Sequence, residues 1–129
     1  MMKNSPELRV LIVDDEPLIR WSMAETLSHV GYTIAEAGDA RETLAQISSG
    51  PTPDVVLLDY RLPDSNDLNL LRTIRQTIPG SPVIMMTAFG TPAVLDGALK
   101  LGAYCVLSKP VEMRDLPDLV ERAHASRPH

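Results

Sequence analysis

The residues of this 129-residue chain that have the chemistry of a reactive site are few and regularly placed. Asp14 and Asp15 follow the apolar run from Arg9 to Val13, and Asp59 closes the run that starts at Asp54. Thr87 follows the run from Pro82 to Met86, and Lys109 comes just after the run from Tyr104 to Leu107. Carboxylates crowded into one crevice repel, so something positive must stand among them. A hard divalent cation answers that need, since Mg²⁺ takes one or two carboxylates together with waters and phosphate oxygens. Lys109 offers a second, fixed positive charge, and the Thr87 hydroxyl is able to donate to an anion formed there. The set reads as a carboxylate nucleophile flanked by a metal, an ammonium and a hydroxyl. Phosphoryl transfer onto an aspartate requires those parts, because its demands are positioning and neutralisation of charge on the transferred oxygens. Each residue also has a plainer reading. An Asp pair before a helix is often an N-cap with dipole-favoured charge. Thr87 alone reads as structural, and a lone Lys-Pro reads as a turn. Order and spacing together carry the signal.

Those residues depend on elements that bring them to one place. The run from Arg9 to Val13 is β-branched and apolar on both faces, as in a buried parallel strand. Pro17 then sits where a helix has its first turn, Ile19, Met23, Leu27 and Val30 fall on one helical face, and Gly31 stops it. The pattern repeats. Tyr32 to Ala37 reads as a strand, and Asp39 is placed to cap a helix with Ala40, Leu44 and Ile47 inward. Asp54 to Leu58 is a third strand, followed by a loop with Pro63 and Asp64 and a helix bearing Leu68, Leu71, Ile74 and Ile78. Pro82 to Met86 is a fourth strand, with a helix from about Thr91 to Lys100 after it. Tyr104 to Leu107 is a fifth, with a last helix from Glu112 to His124 that turns Leu116, Leu119, Val120 and Ala123 inward. Five strands alternating with five helices predict an open parallel sheet covered on both faces. Ligands of such sheets bind outside the carboxyl ends of the strands, where all five reactive residues fall.

Composition narrows the function. A formal net charge of -5 with no basic stripe argues against nucleic acid as a direct partner of this segment. Cys105 is the only cysteine, so no intrachain disulfide forms, and it reads as a small buried apolar residue. The apolar runs are too short to span a bilayer, and no membrane association is expected. The start of the chain lacks the apolar segment of a signal peptide, and a cytoplasmic location is expected. His29, His124 and His129 have no ligand spacing to one another. Trp21 lies off the apolar face of its helix and is expected to be partly buried. The chain divides into a leader over residues 1–7, a domain over 8–124, and a tail or start of a linker over 125–129.

The sequence resembles the receiver domains of two-component response regulators over nearly its whole length. The segment Val10 to Glu16 looks like the acidic pair after that family's first strand, and Asp54 to Pro63 like its phosphoacceptor segment. Val83 to Ala88 is similar to the hydroxyl-bearing fourth strand, and Leu107 to Pro110 to the lysine before a proline. The resemblance implies a flavodoxin-like sheet of order 2-1-3-4-5, required Mg²⁺ (or Mn²⁺), a sensor histidine kinase as phosphodonor, and no turnover chemistry beyond the domain's own phosphorylation and dephosphorylation. It implies Asp59 as acceptor. Asp15 and Asp59 would bind the metal directly, Asp14 through water, and Arg61 through its backbone carbonyl. Thr87 and Lys109 would bind the phosphoryl oxygens, and the Lys109–Pro110 peptide would be cis. The stretch from Met86 to Thr91, with Gly102 to Tyr104, looks like receivers fused to sigma-54-dependent activators, which implies a DNA-binding output domain in the parent protein. Output is expected through a homodimer formed by the fourth helix, fifth strand and fifth helix, with a switch region at Thr87, Tyr104 and Val106.

The sequence departs from that pattern at three places. Val106 stands where relatives have an aromatic switch residue, and Tyr104, two residues earlier, is read as having the opposite strand parity, so it does not simply replace it. Asp67 stands where a glycine is common, and Ser65-Asn66 where an apolar-acidic pair is. Two competing functions stand beside the switch. A haloacid-dehalogenase-type phosphatase uses similar groups but places its nucleophile after the first strand and its acidic pair late, the reverse of this order. A receiver that acts only as an interaction module is disfavoured by the complete reactive set and favoured by Val106 and Asp67. A flavin site would want a phosphate-binding loop after the first strand, and none follows.

Overall fold

A computed structural model describes residues 8–126. The expected leader at 1–7 and residues 127–129 of the expected tail lie outside the described residues. The described chain alternates β1 (Arg9–Val13), α1 (Pro17–His29), β2 (Thr33–Ala37), α2 (Ala40–Ser49), β3 (Val55–Asp59), α3 (Asn69–Thr77), β4 (Val83–Thr87), α4 (Pro92–Lys100), β5 (Cys105–Ser108) and α5 (Leu116–Ala125), with a 3₁₀ turn at Met113–Asp115 before α5. All pairings are parallel and the strand order is β2-β1-β3-β4-β5, the flavodoxin-like order read from the sequence. No helix among the described residues is long and apolar enough to cross a membrane.

The alternation of side chains along each strand splits the core into two layers. Leu11, Val13, Val56, Leu58, Val83 and Met85 pack with Ile47 of α2, Leu70, Leu71 and Ile74 of α3 and Ala98 of α4. Val10, Ile12, Val55, Leu57, Ile84 and Met86 pack on the opposite face with Met23 and Leu27 of α1 and with Leu116, Val120 and Ala123 of α5. Burying β1, β3 and β4 on both faces fixes their register, since a slip by one residue would exchange the two layers.

Several side chains lie elsewhere than expected, each for a local reason. Val30 is exposed because it follows the last turn of α1, where the chain leaves through Gly31 at φ 96°. In α2 the inward face is Thr43 and Ile47, with Leu44 turned outward. Thr43 tolerates burial because its hydroxyl donates to the Asp39 carbonyl at 2.7 Å. Trp21 and Leu18 are exposed on the side of α1 that faces away from Met23 and Leu27, so the partial burial expected of Trp21 is not found. Cys105 is half-buried rather than enclosed, since β5 is an edge strand, and burial still pushes its thiol pKa up. The last helix begins only at Leu116 and runs through Ala125, past the expected boundary at His124.

The start of α2 is tied to the loop that follows β3. Two backbone N–H groups, those of Ala40 and Arg41, donate to the Asp64 carboxylate at 2.8 and 3.2 Å. The Glu42 N–H donates to the Asp39 carboxylate at 2.7 Å, and the Thr43 N–H to the Asp39 carbonyl. The N–H groups of the first three helical residues, which have no partner within the helix, are thereby satisfied. Replacing Asp39 by Ala should cost about 1 kcal/mol of stability, read as a shift of the denaturation midpoint. The N–H of Ala40 foremost, and that of Arg41, hold the Asp64 carboxyl below its ordinary pKa. A lowered folded-state pKa stabilises above the unfolded value and loses that contribution as pH falls through the folded one. The melting difference between wild type and Asp64→Ala should therefore narrow as the solution is acidified below the ordinary aspartate range. A difference that stays constant with pH would refute this account.

Candidate functional site

The carboxyl ends of β1, β3, β4 and β5 open into one cleft of about 340 Å³, lined by Asp15, Glu16, Asp59, Tyr60, Arg61, Thr87, Ala88, Phe89 and Lys109. Interstrand hydrogen bonds carry the ladder one residue past each strand and so aim these side chains. The Asp14 N–H donates to the Ala37 carbonyl at 3.1 Å, and the Tyr60 N–H to that of Met86 at 2.8 Å. The Lys109 N–H donates to the Thr87 carbonyl at 2.9 Å, which brings ammonium and hydroxyl to the same cleft. The Lys109–Pro110 peptide is cis.

Carboxylate oxygens of Asp14, Asp15 and Asp59 lie within 4.8 Å of one another, with Asp14 and Asp59 buried and Asp15 exposed. The Lys109 ammonium stands 3.0 Å from Asp14 Oδ2 and 3.1 Å from Asp59 Oδ2, and 3.6 Å from Oε1 of Glu16 at the rim. Asp14 Oδ1 accepts from the Glu16 N–H at 2.9 Å. Its Oδ2 is fully buried and accepts no hydrogen bond, so contact with the ammonium is what compensates it. Asp59 Oδ1 accepts from the Arg61 N–H at 3.3 Å. Burial pushes the Asp59 carboxyl above its ordinary pKa, and Asp14 adds to the push; Lys109 and the Arg61 N–H pull back without cancelling it. Burial also works against the charge on Lys109, but its contacts with Asp14 and Asp59 outweigh that, and its pKa is raised.

The cluster fits a divalent cation. Three carboxylates about one ammonium leave two negative charges uncompensated, and every free donor atom is a hard oxygen. The raised Asp59 carboxyl is relieved by a further positive charge placed among the three carboxylates. Thr87 is buried at the cleft floor, and its Oγ1 accepts from the Phe89 N–H at 3.2 Å. That bond occupies an oxygen lone pair and leaves the hydroxyl proton free to be donated.

Asp14, Asp15, Asp59, Arg61, Thr87 and Lys109 are thus brought together, and Tyr104 is not. Tyr104 donates its N–H to Val83, before β5 begins, while Thr87 lies at the far end of β4. Four residues of strand separate them, roughly 13 Å. Residues 104 and 106 share a strand face, so distance along the sheet, not side-chain alternation, keeps the Tyr104 ring from the site. Val106 pairs with Met85 and packs into the layer beneath α3 and α4. In the loop after Asp59, Leu62 and Ser65 exchange backbone hydrogen bonds at 2.8 and 3.2 Å, closing a turn over Pro63 and Asp64. Asp67 accepts from the Asn69 N–H at 2.9 Å, where α3 starts. Sequence reasoning missed Glu16, Tyr60, Ala88 and Phe89 as lining residues, although each adjoins a residue it named. It also missed Arg20, whose guanidinium donates to the Asp14 carbonyl at 2.6 Å. A side chain that binds a backbone carbonyl leaves no pattern of residue types to read.

Residues 10–121 match the family described as response regulator receiver domain. The chain is 40% identical over 114 residues to the DNA-binding transcriptional regulator NtrC of Salmonella typhimurium, covering 88% of this chain and 24% of that protein. It is 39% identical over 115 residues to the response regulator protein PilR of Pseudomonas aeruginosa, covering 89% of this chain and 26% of that one. The chain thus spans about a quarter of the length of these curated relatives. Among solved structures, a CheY-like receiver domain protein from Methanospirillum hungatei superposes with a TM-score of 0.88 at 32% identity, covering 93% of this chain and 95% of that one. The receiver domain of NtrX from Brucella abortus does so at 0.82 with 35% identity, covering 91% and 98%. Fold, strand-end chemistry and sequence likeness agree, and the chain belongs to the response regulator receiver domain family of two-component signalling.

Proposed function

We propose that this domain is a magnesium-dependent switch that accepts a phosphoryl group on Asp59 from a phosphohistidine of a sensor kinase. The observation that carries the reading is the meeting of Asp14, Asp15, Asp59, Thr87 and Lys109 at one sheet edge, with Lys109 Nζ 3.1 Å from Asp59 Oδ2. In the transfer an Asp59 carboxylate oxygen bonds to phosphorus as the phosphorus–nitrogen bond to the donor imidazole breaks. Asp14, Asp15, Asp59 and the Arg61 carbonyl would hold Mg²⁺, which supplies charge neutralisation on the phosphoryl oxygens. The Lys109 ammonium, shared between Asp14 and Asp59 beforehand, turns to an oxygen of the new phosphoryl group. Thr87 donates its hydroxyl proton to another. The chain acts in this reading as a switch, not as an enzyme with a turned-over substrate.

The output we infer lies on the face of α4, β5 and α5, where Leu95, Leu99 and Tyr104 are exposed. Phosphorylation would draw the Thr87 hydroxyl inward and shift the population of a homodimer formed through that face. The likeness to NtrC, a DNA-binding transcriptional regulator, supports a parent protein that controls transcription through a DNA-binding domain. The net charge of -5 argues against direct nucleic-acid binding by this domain itself.

Acetyl phosphate with Mg²⁺ should add one phosphoryl group by intact mass, and Asp59→Asn should gain none. Labelling of that variant, or labelling undiminished by EDTA, would end the assignment. Mg²⁺ should also stabilise the unphosphorylated domain by about 2.7 kcal/mol at a hundred times its dissociation constant, read as a rise in melting temperature. Asp15→Asn should remove most of that response, and a wild type indifferent to millimolar Mg²⁺ would contradict the shared-metal site. Because Val106 lacks a ring to follow the hydroxyl, coupling to the output face should be weak. A coupling of ~1 kcal/mol changes dimer affinity about fivefold. Sedimentation with and without beryllofluoride measures this, and Val106→Tyr should enlarge the response. A hundredfold change in the wild type would refute weak coupling, and no change would favour an interaction module.

A further inference from the structure

The peptide between Asp14 and Asp15 decides where the acidic pair points, and it lies one residue past the β1–β2 register, which ends at Val13↔Ala37. On its N-terminal side Asp14 is held by the sheet, through its N–H on the Ala37 carbonyl. On its C-terminal side the Asp14 carbonyl accepts from Arg20 Nη1 at 2.6 Å. The same guanidinium donates from Nε to Glu36 Oε1 at 3.0 Å, with 23% of the arginine side chain exposed. Two bonds along different directions of a rigid planar group fix its plane, which one bond would not do. Glu36 lies on β2, so the clamp joins β2 to the turn between β1 and α1 through a residue of α1. The guanidinium also lies close to Gly38: a Cβ there would stand 3.2 Å from Nη1.

We propose that Arg20 is a positioning residue for the metal site, with Glu36 as its anchor. It holds the Asp14–Asp15 peptide so that Asp14 turns inward to Lys109 while Asp15 faces the cleft. The inference rests on the reading of Asp14, Asp15 and Asp59 as the metal cluster. Arg20 touches no reacting group and acts through the carbonyl it grips. Outer partners that orient ligands in this way are worth about ten- to a hundredfold in metal affinity. Since Arg20 orients a backbone unit and not a ligand atom itself, the lower end of that range is expected.

The test is calorimetric titration of Mg²⁺ into the unphosphorylated domain, well below the melting temperature of every variant. Arg20→Gln should weaken Mg²⁺ binding about tenfold. Arg20→Lys should recover part of the loss, because an ammonium on that stem reaches either the carbonyl or Glu36 but does not span both at fixed geometry. Glu36→Gln should weaken binding less than Arg20→Gln, and added to Arg20→Gln it should do nothing further, since the anchor then has nothing to hold. Ile74→Val is the control. It loses stability in the core at about 1 kcal/mol, remote from the clamp, and should bind Mg²⁺ as wild type does. An Arg20→Gln protein with wild-type affinity, or an Ile74→Val protein with the same loss, overturns the role of Arg20 while leaving the metal cluster in place. A wild type that takes up no Mg²⁺ overturns the metal cluster and the inference with it.

Discussion

Three carboxylates gathered around a single ammonium impose the constraint on which the rest of this molecule depends. Asp14 is fully buried and Asp59 nearly so, and each meets Lys109 at about hydrogen-bond distance. One positive charge does not balance the cluster, which is why the Asp59 carboxyl is pushed above its ordinary range despite a lysine beside it. A further cation placed there would relieve that excess of negative charge. Replacing these residues by apolar ones would in general favour folding. Their presence at a buried strand end marks a position where chemistry has been kept at the expense of stability.

The sheet meets that constraint by being rigid where the charges stand. β1, β3 and β4 are enclosed on both faces, so their ends are fixed by packing against α1 and α5 on one side and α3 and α4 on the other. Just past the ends of β1, β3 and β5 one more backbone bond ties the chain to a neighbouring strand, from Asp14 to Ala37, Tyr60 to Met86 and Lys109 to Thr87. The floor of the cleft consequently consists of groups with little freedom. Its rim consists of Glu16, Arg61 and Phe89, which are exposed and able to rearrange around whatever enters.

The fold was legible in the sequence because its periodicities are clean. Continuous runs such as Val55 to Leu58 belong to strands buried on both faces, and Pro17, Asp39, Gly31 and Thr91 punctuate the helices where they were read. The reactive set was legible for a related reason: polar residues that end apolar runs must collect at the carboxyl edge of a parallel sheet. What escaped was whatever depends on angle or on backbone partners. The one-residue rotation of α2 that buries Thr43 and exposes Leu44 is made tolerable by a hydroxyl-to-carbonyl bond, which a pattern of apolar residues does not contain. Arg20 escaped because its partner is the Asp14 carbonyl, and Asp64 because the N–H groups it accepts from lie on another element. Tyr104 was grouped with the switch by nearness in sequence, yet along a strand two residues already amount to about 7 Å.

A rigid floor also determines where a change of charge at Asp59 has to go. The carboxylate sits at the end of a strand buried on both sides, and Lys109 arrives on a backbone bonded to Thr87, so neither backbone gives way readily. The group free to respond is the Thr87 hydroxyl, which turns about its own Cα–Cβ bond and is tethered only by the Phe89 N–H at 3.2 Å. On the proposed reading, turning toward an anion would release or drag the segment that carries Phe89 and Gly90. That segment is tightly placed, since a Cβ on Gly90 would stand 3.1 Å from Leu95 Cδ2 and 3.2 Å from Thr87 Cγ2. On the proposed reading a displacement at Thr87 would be passed toward Leu95 and the first turns of α4, since the space between Gly90, Thr87 and Leu95 is too small for even one added carbon unless a neighbour shifts. The family resemblance implies a ring two residues before the partner of Thr87 that follows the hydroxyl and couples β5 to the same event. On that reading Val106 is too short to do so, and the path through Gly90 and Leu95 would be the one left to carry a signal from the cleft to the outer face of α4.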